Sequence, residues 1–173
     1  MENAHRTIEL VARSAYGRLV AYLSTQARDV ASAEDALGDA LVEALAFWPR
    51  DGVPQKPEAW LLTAARHRLV DRQRRMRTQE RHEANPRSLV VEAEAVEGLE
   101  EFPDERLKLF FVCAHPAIDP ALHAPLMLQA VLGLDASRIA PAFLLSPAAM
   151  SQRLARAKTQ IRAAAIPFEG PDE

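Results

Sequence analysis

Cysteine is almost missing from this chain. Cys113 is the only one in 173 residues, so no internal disulfide can form, which fits a reducing compartment. Aromatic residues make up only 6% and β-branched residues are scarce, which disfavours a strand-built fold. There are six glycines, and none forms a phosphate-cradling loop or a nucleophile elbow. The histidines (His5, His67, His82, His115 and His123) are scattered. Cys113 and His115 alone are too few ligands for zinc. No apolar run approaches the roughly 20 residues needed to span a bilayer. The N-terminus, MENAHRTIEL, lacks the basic stretch and apolar core of a secretory signal. These absences predict a cytoplasmic chain that is not an enzyme, with no catalytic constellation, no metal, no cofactor and no membrane partner.

What is present favours helices. Apolar residues reach 49% and charged residues 26%, a balance that folds. Ala, Leu and Arg dominate, all good helix formers. The length suits one medium domain or two small ones. The net charge of −3 conceals strong segregation. Residues 66–87 hold eight arginines against Asp71, Glu80 and Glu83. Residues 89–105 hold seven acids and no base, and residues 147–165 hold four bases and no acid. Local fields of this kind attract a polyanion more than net charge does.

Periodicity predicts a first helix from Thr7 to about Gln26, carried by Ile8, Val11, Ala12, Ala15, Leu19 and Leu23. A second helix follows Ser32 as N-cap, with Glu34 and Asp35 in its first turn. Its apolar stripe is Leu37, Leu41, Ala44 and Leu45, and it closes before Pro49. Residues 49–57 read as a loop. A third helix runs from Pro57 to about Arg77 and changes from apolar at Trp60-Leu61-Leu62 to basic from Arg66 onward. Trp60 is expected to be mostly buried. After a polar and then acidic linker come helices over 104–115 and 119–132, the latter stopped by Gly133. A short helix spans 135–143, although Pro141 should bend it. Leu144-Leu145-Ser146 make the turn, and Pro147 opens a last helix running to about Ala165.

The last two helices have the form of a helix-turn-helix. Ala136, Ile139 and Ala140 face Met150, Leu154 and Ile161. The exposed positions predicted for the last helix are Ser151, Gln152, Arg153, Arg156, Lys158 and Arg162. In such a motif the start of the second helix enters the major groove, where Gln and Arg read base edges and flanking bases meet phosphates. A helical hairpin with a solvated basic face is the competing reading. The arginine run of the third helix also fits a solvated surface, an RNA-binding arm or a partner site.

Two stretches carry a family resemblance. They are Ser32-Ala33-Glu34-Asp35-Ala36-Leu37-Gly38-Asp39-Ala40-Leu41 and the segment from Ala59 through Asp71 to Arg75. Together they resemble region 2 of extracytoplasmic-function sigma factors, and the C-terminal pair resembles region 4. The resemblance spans nearly the whole chain, in the family's order. It implies an all-α protein of two small helical domains: a region 2 bundle over 1–78, an acidic linker over 79–103, a region 4 helix-turn-helix over 104–166 and a tail over 167–173. It implies that Glu34, Asp35, Asp39 and Leu41 dock on core RNA polymerase. It implies that Trp60, Arg66, His67, Arg68, Asp71, Arg72, Arg74 and Arg75 engage the −10 element of promoter DNA. Ser151, Gln152, Arg153, Arg156 and Lys158 would read the −35 element. An anti-sigma factor is a further candidate partner. The stretch from Asp104 to Pro116, with Ile166-Pro167-Phe168, resembles a branch that usually carries a helical, repeat-like C-terminal extension, which this sequence does not include.

Three positions depart from the family pattern. Gly38 replaces a frequent glutamine, Leu41 a frequent aromatic, and Pro141 a charged or small residue. The expected activity is promoter recognition on behalf of core polymerase. The alternatives are a free-standing helix-turn-helix regulator and a sigma-like module that only captures an anti-sigma factor.

Overall fold

A computed structural model describes residues 2–79 and 102–170. Among these residues there are eight α-helices, one 3-10 turn and no strand, so the all-α expectation holds. The helices are α1 (Glu2–Ser14), α2 (Tyr16–Ala27), α3 (Val30–Asp51), α4 (Pro57–Gln79), α5 (Arg106–Cys113), α6 (Pro120–Ala130), α7 (Ala136–Ile139) and α8 (Pro147–Ala163). The 3-10 turn, Ala140–Phe143, joins α7 to the loop before α8. Most of the expected linker lies outside the described residues.

The first predicted helix is two helices. The helix is interrupted at Ala15, whose backbone (φ −107°, ψ −9°) stretches to the edge of the right-handed helical region. Just before it, the Ser14 hydroxyl donates to the Leu10 carbonyl at 2.8 Å, a back-bond that bends helices. The second predicted helix starts earlier than expected. Its N-cap is Asp29 rather than Ser32: the Asp29 carboxylate accepts from the Ser32 N–H at 3.3 Å and also from the Ser32 hydroxyl. Glu34 and Asp35 therefore lie in the second turn of α3. The helix also continues through Pro49, because a proline so near the end removes little, and it closes on Gly52 at φ +93°.

Around Pro141 the sequence expectation holds in detail. α7 gives way there to the tighter 3-10 turn. Leu144 then takes a left-handed backbone (φ 55°) to make the corner. Ser146 caps α8 by accepting from the Ala149 N–H at 3.2 Å, and Pro147 occupies the first helical turn. Ala136, Ile139 and Ala140 are buried with Met150, Leu154 and Ile161, as the helix-turn-helix reading requires.

One apolar core runs through both halves of the chain. Leu19, Leu23, Leu37, Leu61 and Leu62 belong to it in the N-terminal half, and Leu109, Ile118, Leu126, Met150 and Leu154 in the C-terminal half. Helix α2 packs on α5 and α6, and α3 packs on α8. Phe102, expected within the linker, is buried. Its ring lies 5.4 Å from Tyr22, and the Arg18 guanidinium sits 4.5 Å above its face. Cation and ring attract at this range.

Candidate nucleic-acid interface

The site is built around α3, which places acids on two faces. One face carries Asp35, Asp39 and Glu43 at four-residue spacing, so these acids form a row along the helix. Helix α4 packs alongside with arginines at the same spacing. Arg68 donates to Glu43 at 2.8 Å, and Arg72 donates to Asp35 at 2.9 Å. The two helices are zipped by opposite charges, with Asp39 between the two pairs. Glu43 is only 9% exposed, which makes it the firmer anchor.

The exposed stripe of α3 is partly apolar. Asp35, Gly38, Asp39, Val42 and Leu45 recur along it at helical spacing. Val42 is 67% exposed and Leu45 43%. This corrects the predicted core stripe, since Leu45 faces solvent. Leu41 is partly buried and packs against the core, so it is not part of the open surface. A side chain at Gly38 would meet nothing, so packing does not demand glycine there.

Along α4 the expected change from core to surface is present. Leu61, Leu62, Ala64 and Ala65 are buried, whereas Arg74 and Arg75 are exposed. Arg66, His67, Arg68, Asp71 and Arg72 are half-buried. Trp60 is mostly buried, as expected, and packs against the core. It meets Trp48 edge to face, with centroids 5.4 Å apart and planes at 72°. The Trp48 indole N–H and the His67 Nδ1 atom are buried with no hydrogen-bond partner among the described residues.

Helix α8 divides into two parts. Its first turns expose Ser151, Gln152, Arg153 and Arg156 as expected. Lys158 corrects the prediction of an exposed base: it is only 8% exposed and forms an ion pair with Glu34. Arg162, one turn on, reaches Asp29 at 3.4 Å. Glu34 is thus turned inward, away from Asp35 and Asp39. Burial raises its carboxyl pKa despite the opposing pull of Lys158. Burial, with Glu34 adding to it, also lifts the Tyr16 phenol above its ordinary range. The same two causes push the Cys113 thiol up to about 12.

Sequence reasoning missed Asp29, Val42 and Glu43. The i, i+4 row of acids signalled Glu43, but the contacts of Asp29 depend on a helix more than a hundred residues away. No group of residues suited to hold a metal ion occurs among the described residues. No helix among them is long and apolar enough to cross a membrane.

The α3–α4 zipper lies wholly within a recognised segment. Residues 11–79 match the sigma-70 region 2 family. That segment is similar to a sigma-70 region 2 domain. That family is non-enzymatic, and its domains as a class bind core RNA polymerase and promoter DNA. The sigma-70 region 2 match ends before α5, and no sigma region 4 match is detected over α5–α8. An uncharacterized protein of Rhizobium meliloti (strain 1021) is 39% identical over 173 residues, covering 95% of this chain. The chain spans 40% of the length of that relative. No solved structure matches the chain.

Proposed function

We propose that this chain is a promoter-specificity factor of the extracytoplasmic-function type, which lends sequence recognition to core RNA polymerase. The observation that carries the reading is the pairing of a sigma-70 region 2 domain with a second, capped basic helix in a helix-turn-helix. The open stripe of α3, with Asp35, Asp39, Val42 and Leu45, is the polymerase-docking surface. It combines charge for steering with apolar side chains for burial.

The basic half of α4 engages the −10 element. Arg66, His67, Arg68, Asp71, Arg72, Arg74 and Arg75 line that half, and Trp60 stands at its apolar start. The cations suit phosphates, and the half-buried Asp71 suits selection among bases. The first turns of α8 act as region 4. Gln152 and Arg153 are the base-edge readers at the −35 element, Ser151 supports them and Arg156 meets phosphate. Lys158 drops out of the DNA-reading set because it is buried against Glu34.

Titration of the labelled chain with purified bacterial core polymerase, near physiological salt, tests the reading. A parallel titration uses promoter-length duplex alone. Nanomolar binding to core with weak binding to duplex is the expected result. Tight duplex binding without core binding would overturn it in favour of a free-standing regulator.

A further inference from the structure

The corner between the 3-10 turn and α8 carries a residue that the fold alone does not explain. Leu144 has a left-handed backbone (φ 55°, ψ 37°) and is 94% exposed. The corner is closed by two backbone hydrogen bonds. The Leu144 N–H donates to the Pro141 carbonyl at 3.2 Å, and the Leu145 N–H donates to the Ala140 carbonyl at 3.1 Å. Helices that end this way ordinarily place glycine at the left-handed position, because a side chain is strained there. An exposed leucine alone is ordinary. One that also occupies a left-handed corner is an outlier. Its neighbours Phe143 and Leu145 pack against the core, so the corner is anchored without it.

Leu144 does not stand alone. Pro141, Ala142, Pro147 and Ala148 flank it in the chain and are exposed. No charged side chain occurs from Ile139 to Gln152. Exposed arginines stand on either side of that stretch, Arg138 before it and Arg153 and Arg156 after it. The leading edge of the helix-turn-helix is thus an apolar strip bounded by bases. The bases suit phosphates, but a charge-free strip does not. What duplex DNA offers an apolar side chain in its major groove is the C5-methyl group of thymine. The corner leads directly into the helix whose first turns enter that groove.

We propose that Leu144 is a specificity-determining residue of the helix-turn-helix, and that it selects thymine in the −35 element by apolar contact with the methyl group. The assignment rests on the region 4 role proposed above. It adds a contact of a different kind from those of Gln152 and Arg153. Those side chains read hydrogen-bond donors and acceptors, whereas Leu144 reads a methyl group. Selection of a base accounts for a leucine that is both strained and solvated, where glycine would close the corner with neither cost.

The test uses the full chain bound to core polymerase. Promoter duplexes randomised over the upstream element are selected for binding with the unaltered chain and with Leu144→Asn, Leu144→Gly and Leu144→Met. Asparagine and glycine both accept a left-handed backbone but present no apolar side chain, whereas methionine keeps one. Circular dichroism should show unchanged helix content, and the melting temperature of Leu144→Gly should hold or rise. The unaltered chain should enrich thymine at one end of the selected element. The Asn and Gly variants should lose that preference and keep the others, and the Met variant should retain it. Uracil differs from thymine only in lacking the methyl group. Replacing that thymine by uracil should weaken binding of the unaltered complex about fourfold, the contribution of one buried methyl group, and leave the Asn variant unchanged. The same element selected by every variant, or equal binding of thymine and uracil by the unaltered complex, overturns the assignment. Weaker core binding by the Asn variant with an unchanged element also overturns it and gives the apolar strip to polymerase. If the chain does not bind core, the sigma reading fails and the selection is run with the chain alone. Lost thymine preference in the Asn variant then upholds the Leu144 contact, and absence of any duplex binding overturns both.

Discussion

Helices α4 and α8 are both basic and both lean on α3, but they divide their charge in opposite directions. In α4 the apolar half comes first and the arginines follow. Two of them, Arg68 and Arg72, are held by acids of α3. In α8 the open bases come first and the held ones last. Arg153 and Arg156 have no carboxylate partner among the described residues, whereas Lys158 and Arg162 pair with α3. The late arginines of α4 also lie toward the negative end of its helix dipole, so part of their value is structural. The early turns of α8 carry no acid and present the positive end of the dipole. A run of bases is therefore not one surface. Its neighbours decide which members remain available to a phosphate.

The largest effects should come from the core that underlies both helices. Leu62→Ala and Leu154→Ala should each cost about 2–5 kcal/mol, since both side chains are fully buried. Urea unfolding followed separately in each half separates one cooperative unit from two. A single shared transition is expected, because the core is continuous. Next comes Arg153→Ala with Arg156→Ala. With each contact contributing about 1–3 kcal/mol, −35-dependent transcription should fall by on the order of a hundredfold. Unchanged transcription would remove α8 from the promoter-reading role.

A smaller effect lies at Cys113 in α5. Its thiol moves from 9.0 to about 12 on folding. The folded chain then keeps a proton that the unfolded chain loses, so stability should decline as pH rises from about 9 toward 12. Replacement of Cys113 by alanine should flatten that decline in melting temperature measured against pH. The smallest effect belongs to Asp35→Asn. Both partners of that ion pair are well exposed, so its loss should change stability by no more than about 1 kcal/mol. A chemical denaturation curve shifted well beyond that would mean the α3–α4 zipper bears more strain than its exposure indicates.

The sequence was most legible where structure is local. Ser146 and Pro147 announce the start of α8, and the spacing of Met150, Leu154 and Ile161 fixes its buried face. The start of α3 was harder, because Asp29 and Ser32 are both capping residues. Asp29 prevails because its carboxylate accepts from both the N–H and the hydroxyl of Ser32. The break at Ala15 has no proline to mark it, and the nearby Gly17 is explained by a contact with residue 131. Lys158 was misplaced for a similar reason. Helical spacing tells which way a side chain points, but not that an acid from another helix awaits it.

Both tryptophans of the chain stand within one contact, Trp48 against Trp60, and both lie in the segment that matches sigma-70 region 2. Tryptophan emission from this protein therefore comes from a single spot beside the start of α4. Light from that spot can follow binding at α4 without an attached dye, while α5–α8 contribute no tryptophan signal.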